Sequence, residues 1–160
     1  MLISNQMEKL ATRDGYGKAL LELGRKSKDV VALDADLSDS TRSEYFARQF
    51  PERFFSMGIA EQNMIGAAAG LAFSGKIVFA STFAIFSERA YEFVRNIVSR
   101  NKLNVKIAGS HAGIFTGEDG KSAQAIEDIA AYRALPNMVI LQPCDSVEAE
   151  KMVFALAGYK

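Results

Sequence analysis

Apolar residues recur along this chain in two rhythms. Short runs rich in β-branched and aromatic residues, "DVVAL" (29–33), "KIVFA" (76–80), "NVKIAG" (104–109) and "NMVILQ" (137–142), read as buried strands. "RFFSMG" (53–58) predicts a fifth. Between these runs the apolar positions return every three or four residues, which predicts helices over 12–26, 40–50, 60–73, 83–99, 126–134 and 146–158. The last opens on Ser146 as N-cap, with Glu148 and Glu150 in the first turn, where the helix dipole favours acids. Strands alternating with helices predict an α/β fold of three layers, a mostly parallel sheet between two layers of helices. Residues 110–125, "SHAGIFTGEDGKSAQA", follow neither rhythm, and a loop that long in a compact domain is usually functional or mobile.

Composition narrows the class. A chain of 160 residues suits one domain, here 1–160, and 49% hydrophobic residues are enough to bury a core. The formal net charge of +0 provides no general attraction to nucleic acid or to an anionic membrane. One cysteine, Cys144, allows no internal disulfide and fits a reducing compartment. No run has the length and purity of a membrane span, and "MLISNQMEKLATRD" lacks the pattern of a signal peptide. The expectation is a cytoplasmic protein that binds neither nucleic acid nor membrane.

In parallel α/β sheets, ligands gather beyond the carboxyl ends of the strands. That edge carries Asp34 and Asp36, then Gly58 to Glu61, then Ser81 to Phe83, then His111 and its glycine-rich loop, then Pro143 to Asp145. Glu61 stands ahead of the run "MIGAAAGLAF" (64–73), which is apolar almost all round, so the helix it forms is predicted to be buried. Two readings stand. The acid either complements the helix dipole in a solvated turn, or it is a carboxyl in a poorly solvated pocket, where burial raises its pKa and lets it exchange a proton with a bound base.

In "STFAIFSERAYEFVR" (81–95), Phe93 and Ile97 read as core, whereas Phe83 and Phe86 lie at the ligand edge and could stack on a flat heteroaromatic ring. Arg89, a turn further on, borders the same place. "LDADLSDS" (33–40) fails as a calcium loop, since Asp39 takes the glycine position and Tyr45 that of the bidentate acid, so no metal site is expected on this chain. "GYGKALLELG" (15–24) lacks the spacing of a phosphate loop and lies in a helical pattern. His111 is the one histidine; it is either structural or, at the end of a strand on the ligand edge, catalytic. Cys144 has no adjacent basic partner that would make it a thiolate.

Taken in order, these segments resemble the pyrimidine-binding (Pyr) domain of transketolase, a thiamine diphosphate enzyme. "GIAEQNM" resembles the catalytic glutamate motif, and "STFAIFSERAYEFVR" the segment whose aromatics hold the aminopyrimidine. "SHAGIFTGEDG" and "IEDIAAYRALPNMVILQPCD" resemble the active-site loop and the strand after it, while "ATRDGYGKAL" and "LDADLSDS" resemble the opening helix and first strand. The likeness runs from about residue 9 to the end. It implies that Glu61 shares a proton with a ring nitrogen of the aminopyrimidine and promotes the imino tautomer that deprotonates the thiazolium carbon. It implies cofactor contacts for Asp36, Phe83, Phe86 and Arg89. Sugar-phosphate contacts are implied for Arg13, Ser40, His111 and Asp119, with His111 also catalytic.

Three departures accompany the likeness. Ala123 stands where relatives carry a His or Gln that touches substrate, with Gln124 adjacent. The chain has no diphosphate-binding (PP) domain, so Mg²⁺ and a partner chain carrying that domain are expected elsewhere. The family's last Pyr strand and its C-terminal domain are likewise not expected on this chain. The expected function is the Pyr part of a transketolase-like transferase acting on sugar phosphates, dimeric through the helix 60–73 and inactive alone. Two alternatives remain: a non-catalytic α/β assembly module or degenerate relative, and a Pyr domain of the deoxyxylulose-phosphate synthase type.

Overall fold

Four strands, β1 (Val30–Asp34), β2 (Phe54–Ser56), β3 (Ile77–Phe83) and β4 (Val105–Ser110), form one parallel sheet in the order β2-β1-β3-β4. The structure is a computed structural model and describes residues 9–159. Register sets Asp34 opposite Ser81 on β3, and Ser81 opposite Ala108 on β4, so the strand ends form one continuous edge. The helices are α1 (Thr12–Lys26), α2 (Ser38–Thr41), α3 (Glu44–Gln49), α4 (Glu61–Phe73), α5 (Ala84–Ser87), α6 (Tyr91–Phe93), α7 (Asp128–Arg133) and α8 (Ser146–Gly158).

The period-two geometry of a strand divides β1 between two cores. Val31 and Leu33 pack with Met64, Ile65 and Ala68 of α4 and with Val94 and Val98. Val30 and Ala32 face the other way, onto Ala19, Leu20 and Leu23 of α1, Phe46 of α3 and Val153 of α8. All five residues of β1 are buried, as a strand covered on both faces requires. Two glycines of α1 are used for close packing. A Cβ on Gly15 would sit 2.0 Å from the carbonyl oxygen of Ser146, and one on Gly24 would meet Phe46 and Phe50 at 2.5 Å. Helix contact, rather than phosphate binding, accounts for glycines in "GYGKALLELG".

Several predicted elements differ in detail. The run 137–142 makes no strand: it joins no ladder, and Val139, Ile140 and Leu141 are exposed. A strand needs a neighbour to accept and donate its backbone bonds, and this run pairs with none of the four strands. The helix expected over 40–50 is split into α2 and α3. Arg42 between them is left-handed (φ 66°), because the buried Asp34 carboxylate holds Thr41 and Ser43 by their hydroxyls. The helix expected over 83–99 begins one residue later, since Phe83 ends β3. It proceeds through α5, a 3₁₀ turn at Glu88–Ala90, α6 and a π turn at Val94–Ser99. The Ser87 hydroxyl donates to the Ala84 carbonyl at 2.6 Å and competes with the helical ladder there. The cap of α8 is Asp145, whose carboxylate accepts from the Glu148 N–H at 2.7 Å, rather than Ser146. Among the described residues no helix is long and apolar enough to cross a membrane.

Candidate functional site

Glu61 is the first residue of α4, and only 2% of it is exposed. The turn before it is tight. Gly58 has φ 68°, and its carbonyl accepts from the Ala60 N–H at 2.7 Å. That turn delivers the acid to the helix N-terminus, where the dipole offsets part of its desolvation. One cation approaches it: Nε of Arg89 lies 3.1 Å from Oε2, without the alignment of a hydrogen bond. Oε2 is therefore a fully buried acceptor with no hydrogen-bond partner. Arg89 sits in the 3₁₀ turn Glu88–Ala90 with most of its side chain exposed. The break in the predicted helix is what brings Arg89 to Glu61.

A second group assembles where β3 and β4 end. Phe83 is buried and stacks on Phe86, with ring centroids 5.6 Å apart and planes 5° from parallel. It also stacks on His111, centroids 4.0 Å apart. His111 follows the last residue of β4 in a left-handed conformation (φ 58°), which turns its ring onto Phe83. Its Nε2 lies 3.4 Å from a guanidinium nitrogen of Arg13, and its Nδ1 lies 2.7 Å from the Ser110 hydroxyl. Arginine only donates, so Nε2 is the acceptor and the imidazole proton sits on Nδ1, given to Ser110. Burial and then the Arg13 charge lower the His111 pKa, while Asp119 opposes them; the ring is neutral at pH 7. Arg13 also donates to the Ser40 carbonyl at 3.2 Å, tying α1 to α2.

A third group was not expected as part of the site. Asp34, fully buried at the end of β1, accepts from the Leu37 N–H at 2.6 Å and from the Thr41 and Ser43 hydroxyls at 2.8 Å each. Desolvation still raises its pKa above the usual carboxylate range, the three hydrogen bonds opposing the shift and nearby Asp36 adding to it. Tyr16 donates or accepts at 2.6 Å with Ser81 beside it. This network fixes the loop that carries Asp36 and Ser40. The signal for it lay in the spacing Asp34, Thr41, Ser43, a strand-end acid followed by hydroxyls.

The remaining predicted residues lie on the same edge. Asp36 is exposed with φ 65°. Asp119 is exposed in the 3₁₀ turn Gly117–Asp119. Ala123 is buried, and the Gln124 amide donates to the Ile114 carbonyl at 3.3 Å within the loop. Cys144 is exposed and its thiol is pushed up by Glu148. Among the described residues no three His, Cys, Asp or Glu side chains converge to hold a metal. The edge thus combines a buried carboxyl with an oxygen that is ion-paired but accepts no hydrogen bond, a stacked aromatic slab, and a neutral histidine beside an arginine. Such a set can hold a flat nitrogen heterocycle by one face and one polar atom, with a cation and a neutral donor–acceptor nearby for a polar or anionic co-ligand.

Comparison with known proteins gives one answer. Residues 8–159 match the family described as the pyrimidine binding domain of transketolase. A protein of Methanocaldococcus jannaschii, provisionally named as the C-terminal section of a transketolase, is 58% identical over 149 residues, covering 92% of this chain and 47% of that protein. Among solved structures, a split-gene transketolase described as an inactive β4 tetramer is 54% identical with a TM-score of 0.84, covering 95% of this chain and 49% of that one. A transketolase from Campylobacter jejuni is 32% identical with a TM-score of 0.87, over 96% of this chain and 24% of that one. The chain spans about half the length of the first two of these relatives and a quarter of the third.

Proposed function

The chain belongs to the transketolase pyrimidine-binding domain family, and on that premise we propose that it forms the ring-gripping half of a thiamine diphosphate site that moves a two-carbon ketol unit between sugar phosphates. The observation that carries this reading is Glu61, a carboxyl buried at the ligand edge whose Oε2 is ion-paired with Arg89 but accepts no hydrogen bond. Bound there, the cofactor would supply the electron sink for breaking and forming the carbon–carbon bond. Glu61 would accept or share a proton at a pyrimidine ring nitrogen, a role suited to a carboxyl kept from water. Phe83 and Phe86 would take the face of the ring, with Arg89 bordering it. Asp36, exposed at the end of β1, would meet the cofactor near a subunit boundary. Arg13, Ser40 and His111 would receive the sugar phosphate and its hydroxyls, and Asp119 a further hydroxyl. A neutral His111 is suited to exchanging a proton with a sugar hydroxyl.

The reading requires a partner. The diphosphate and its Mg²⁺ would be held by a separate PP-domain chain, the arrangement to which the split-gene relative lends support. Alone, the chain would bind thiamine diphosphate weakly, because charge contacts and metal ligation dominate the binding of a diphosphate. A second copy would pack along α4, where Phe73 is 85% exposed and Gly70 meets nothing. The assembly would work in the cytoplasm.

The test is to mix the chain with a separately expressed PP-domain chain, thiamine diphosphate and Mg²⁺, and to assay ketol transfer between sugar phosphates. Activity that appears only on mixing is the expected outcome. No transfer under any pairing would sink the enzyme reading in favour of an assembly module. Tight cofactor binding by the chain alone would overturn the shared site.

A further inference from the structure

Three carboxyl groups meet where α7 begins beside the 3₁₀ turn Glu88–Ala90, and no cation meets them. Glu88 is half-buried in that turn; its Oε1 is shut off from water and has no hydrogen-bond partner. Glu127 and Asp128, the N-cap and first residue of α7, lie close enough for their charges to act on it. Among the described residues no Lys or Arg forms an ion pair with any of the three. The other charged groups around the turn are engaged elsewhere. Arg89 points to Glu61, the one charged residue of α4, which packs against the same turn. Glu92 of α6 accepts from Asn96, and α5 carries no titratable group. Tyr91 and Tyr132 are the titratable groups that remain, and burial pushes Tyr132 up to about 12.

The hold on α7 is light. It has six residues, none of them fully buried, and a helix so short does not stand by itself in water. Two tyrosine hydroxyls tie it down. Tyr91 donates to the Ala131 carbonyl at 3.1 Å, and Tyr132 donates to the Ser87 hydroxyl at 2.9 Å. Leu135, just past the helix, is buried in the core and fixes its far end. The near end leads to the glycine-rich loop. Gly113 and Ala125 exchange both backbone hydrogen bonds, at 2.7 and 3.2 Å, and close the loop at its base. Ala125 lies two residues before Glu127, and Gly113 two residues after His111. The loop, with Asp119 in its own 3₁₀ turn, is thus anchored on one side through α7.

We propose that α7 is a strap whose docking is set by the proton on Glu88: neutral Glu88 lets α7 lie on the turn and hold the base of the loop, and ionised Glu88 repels Glu127 and Asp128 and loosens both. Carboxylates that share a partly desolvated place disfavour one another's charge. Burial, then Glu127 and Asp128, raise the Glu88 pKa above the ordinary glutamate value. Docking is therefore at full strength below that ordinary value and weakens as pH rises through the raised one, the proton passing to water. Acid tightens the strap and base loosens it. The turn that carries Glu88 also carries Arg89, the cation on Glu61, so the strap adjoins both the buried acid and the loop beside His111.

The experiment is hydrogen exchange on the whole chain between pH 4.5 and pH 7.5, with each rate divided by the intrinsic rate at that pH. It is read at the amides of Ala131, Ala134 and Leu135 around α7, and of Gly113 and Ala125 at the base of the loop. In the wild type, protection at these amides is expected to fall at least about threefold as pH rises. In Glu88→Gln, which keeps the shape and cannot ionise, it is expected to stay level and to exceed the wild type at pH 7.5. Glu127→Gln and Asp128→Asn should each shrink the wild-type fall. His111 titrates alike in all four proteins, so its contribution cancels. Parallel profiles in the wild type and Glu88→Gln would overturn the proposal. A fall that both α7 variants leave untouched would overturn the repulsion. A fall shared by the β1 amides would mean that the whole fold opens rather than the strap. None of these readouts involves cofactor or activity, so they stand apart from the enzyme reading.

Discussion

Two carboxylates are buried at the same edge of the sheet, and they are treated in opposite ways. Asp34 is surrounded by donors: an amide from Leu37 and hydroxyls from Thr41 and Ser43. Glu61, nearly as deep, has an Oε2 that meets only the Arg89 cation and that no hydrogen bond reaches. Burial alone therefore does not separate structure from chemistry. A buried acid both of whose oxygens accept hydrogen bonds is holding the fold, and its removal leaves orphaned donors. A buried acid that no hydrogen bond reaches has no such donors to orphan, and on the function proposed above Glu61 keeps that oxygen for the pyrimidine ring.

The comparison can be broken in four places. The largest effect is expected at Glu61. Glu61→Gln keeps the size and removes the exchangeable proton. In the assembled complex, proton exchange at the thiazolium carbon should fall by roughly 10² to 10⁴ with the melting temperature little changed; an unaltered exchange rate would contradict the role. Next is Asp34→Ala, which strands the Leu37 amide and two hydroxyls. It should cost about 3 kcal/mol, roughly 10 °C in melting temperature; a loss no larger than that of Glu61→Gln would erase the distinction drawn here.

His111 sharpens the picture through pH. Its folded pKa is lowered, so its neutral form contributes stability that is present above the ordinary histidine pKa and is lost as pH falls through the folded value. Denaturant midpoints should therefore decline more for the wild type than for His111→Asn between pH 7 and pH 5. Asparagine is the apt replacement because it tolerates the left-handed backbone there. Parallel pH profiles would show that the ring is not held neutral by its surroundings. The smallest effect belongs to Arg89→Met. Its side chain is mostly exposed, so stability should move by less than about 1 kcal/mol. A larger loss would mean that the pair with Glu61 is structural after all.

Much of the fold was legible because its signals are local. β1, β3 and β4 follow from β-branched runs, and α1 and α4 from apolar spacing, to within a few residues. The placement of the candidate residues was legible in part: Glu61 at the head of an apolar helix, Phe83 and Phe86 at a strand end, and His111 before a glycine loop. What spacing could not show was contact between segments. The stacking of His111 on Phe83 joins the ends of two strands. The Arg13 contact to His111 spans α1 and the loop after β4. Asp34 looked like one acid among several in "LDADLSDS" until Thr41 and Ser43 were seen to fold back on it.

The run 137–142 marks the boundary most plainly. Its apolar, β-branched composition is as strand-like as that of β1, and the sequence by itself determined that it would be extended and sticky. Whether it becomes a strand is decided by neighbours, since a ladder needs a second backbone within hydrogen-bonding reach. β1 has β2 and β3 beside it and is buried throughout. The run 137–142 is paired with no strand, and Val139, Ile140 and Leu141 stay exposed. Composition and periodicity set the α/β class, the order of the elements and the residues offered at the ligand edge, because these depend on each segment's own chemistry. Tertiary structure alone decided which carboxylate was satisfied, which arginine met which partner and which apolar run joined the sheet, because each of these is a relation between segments distant along the chain.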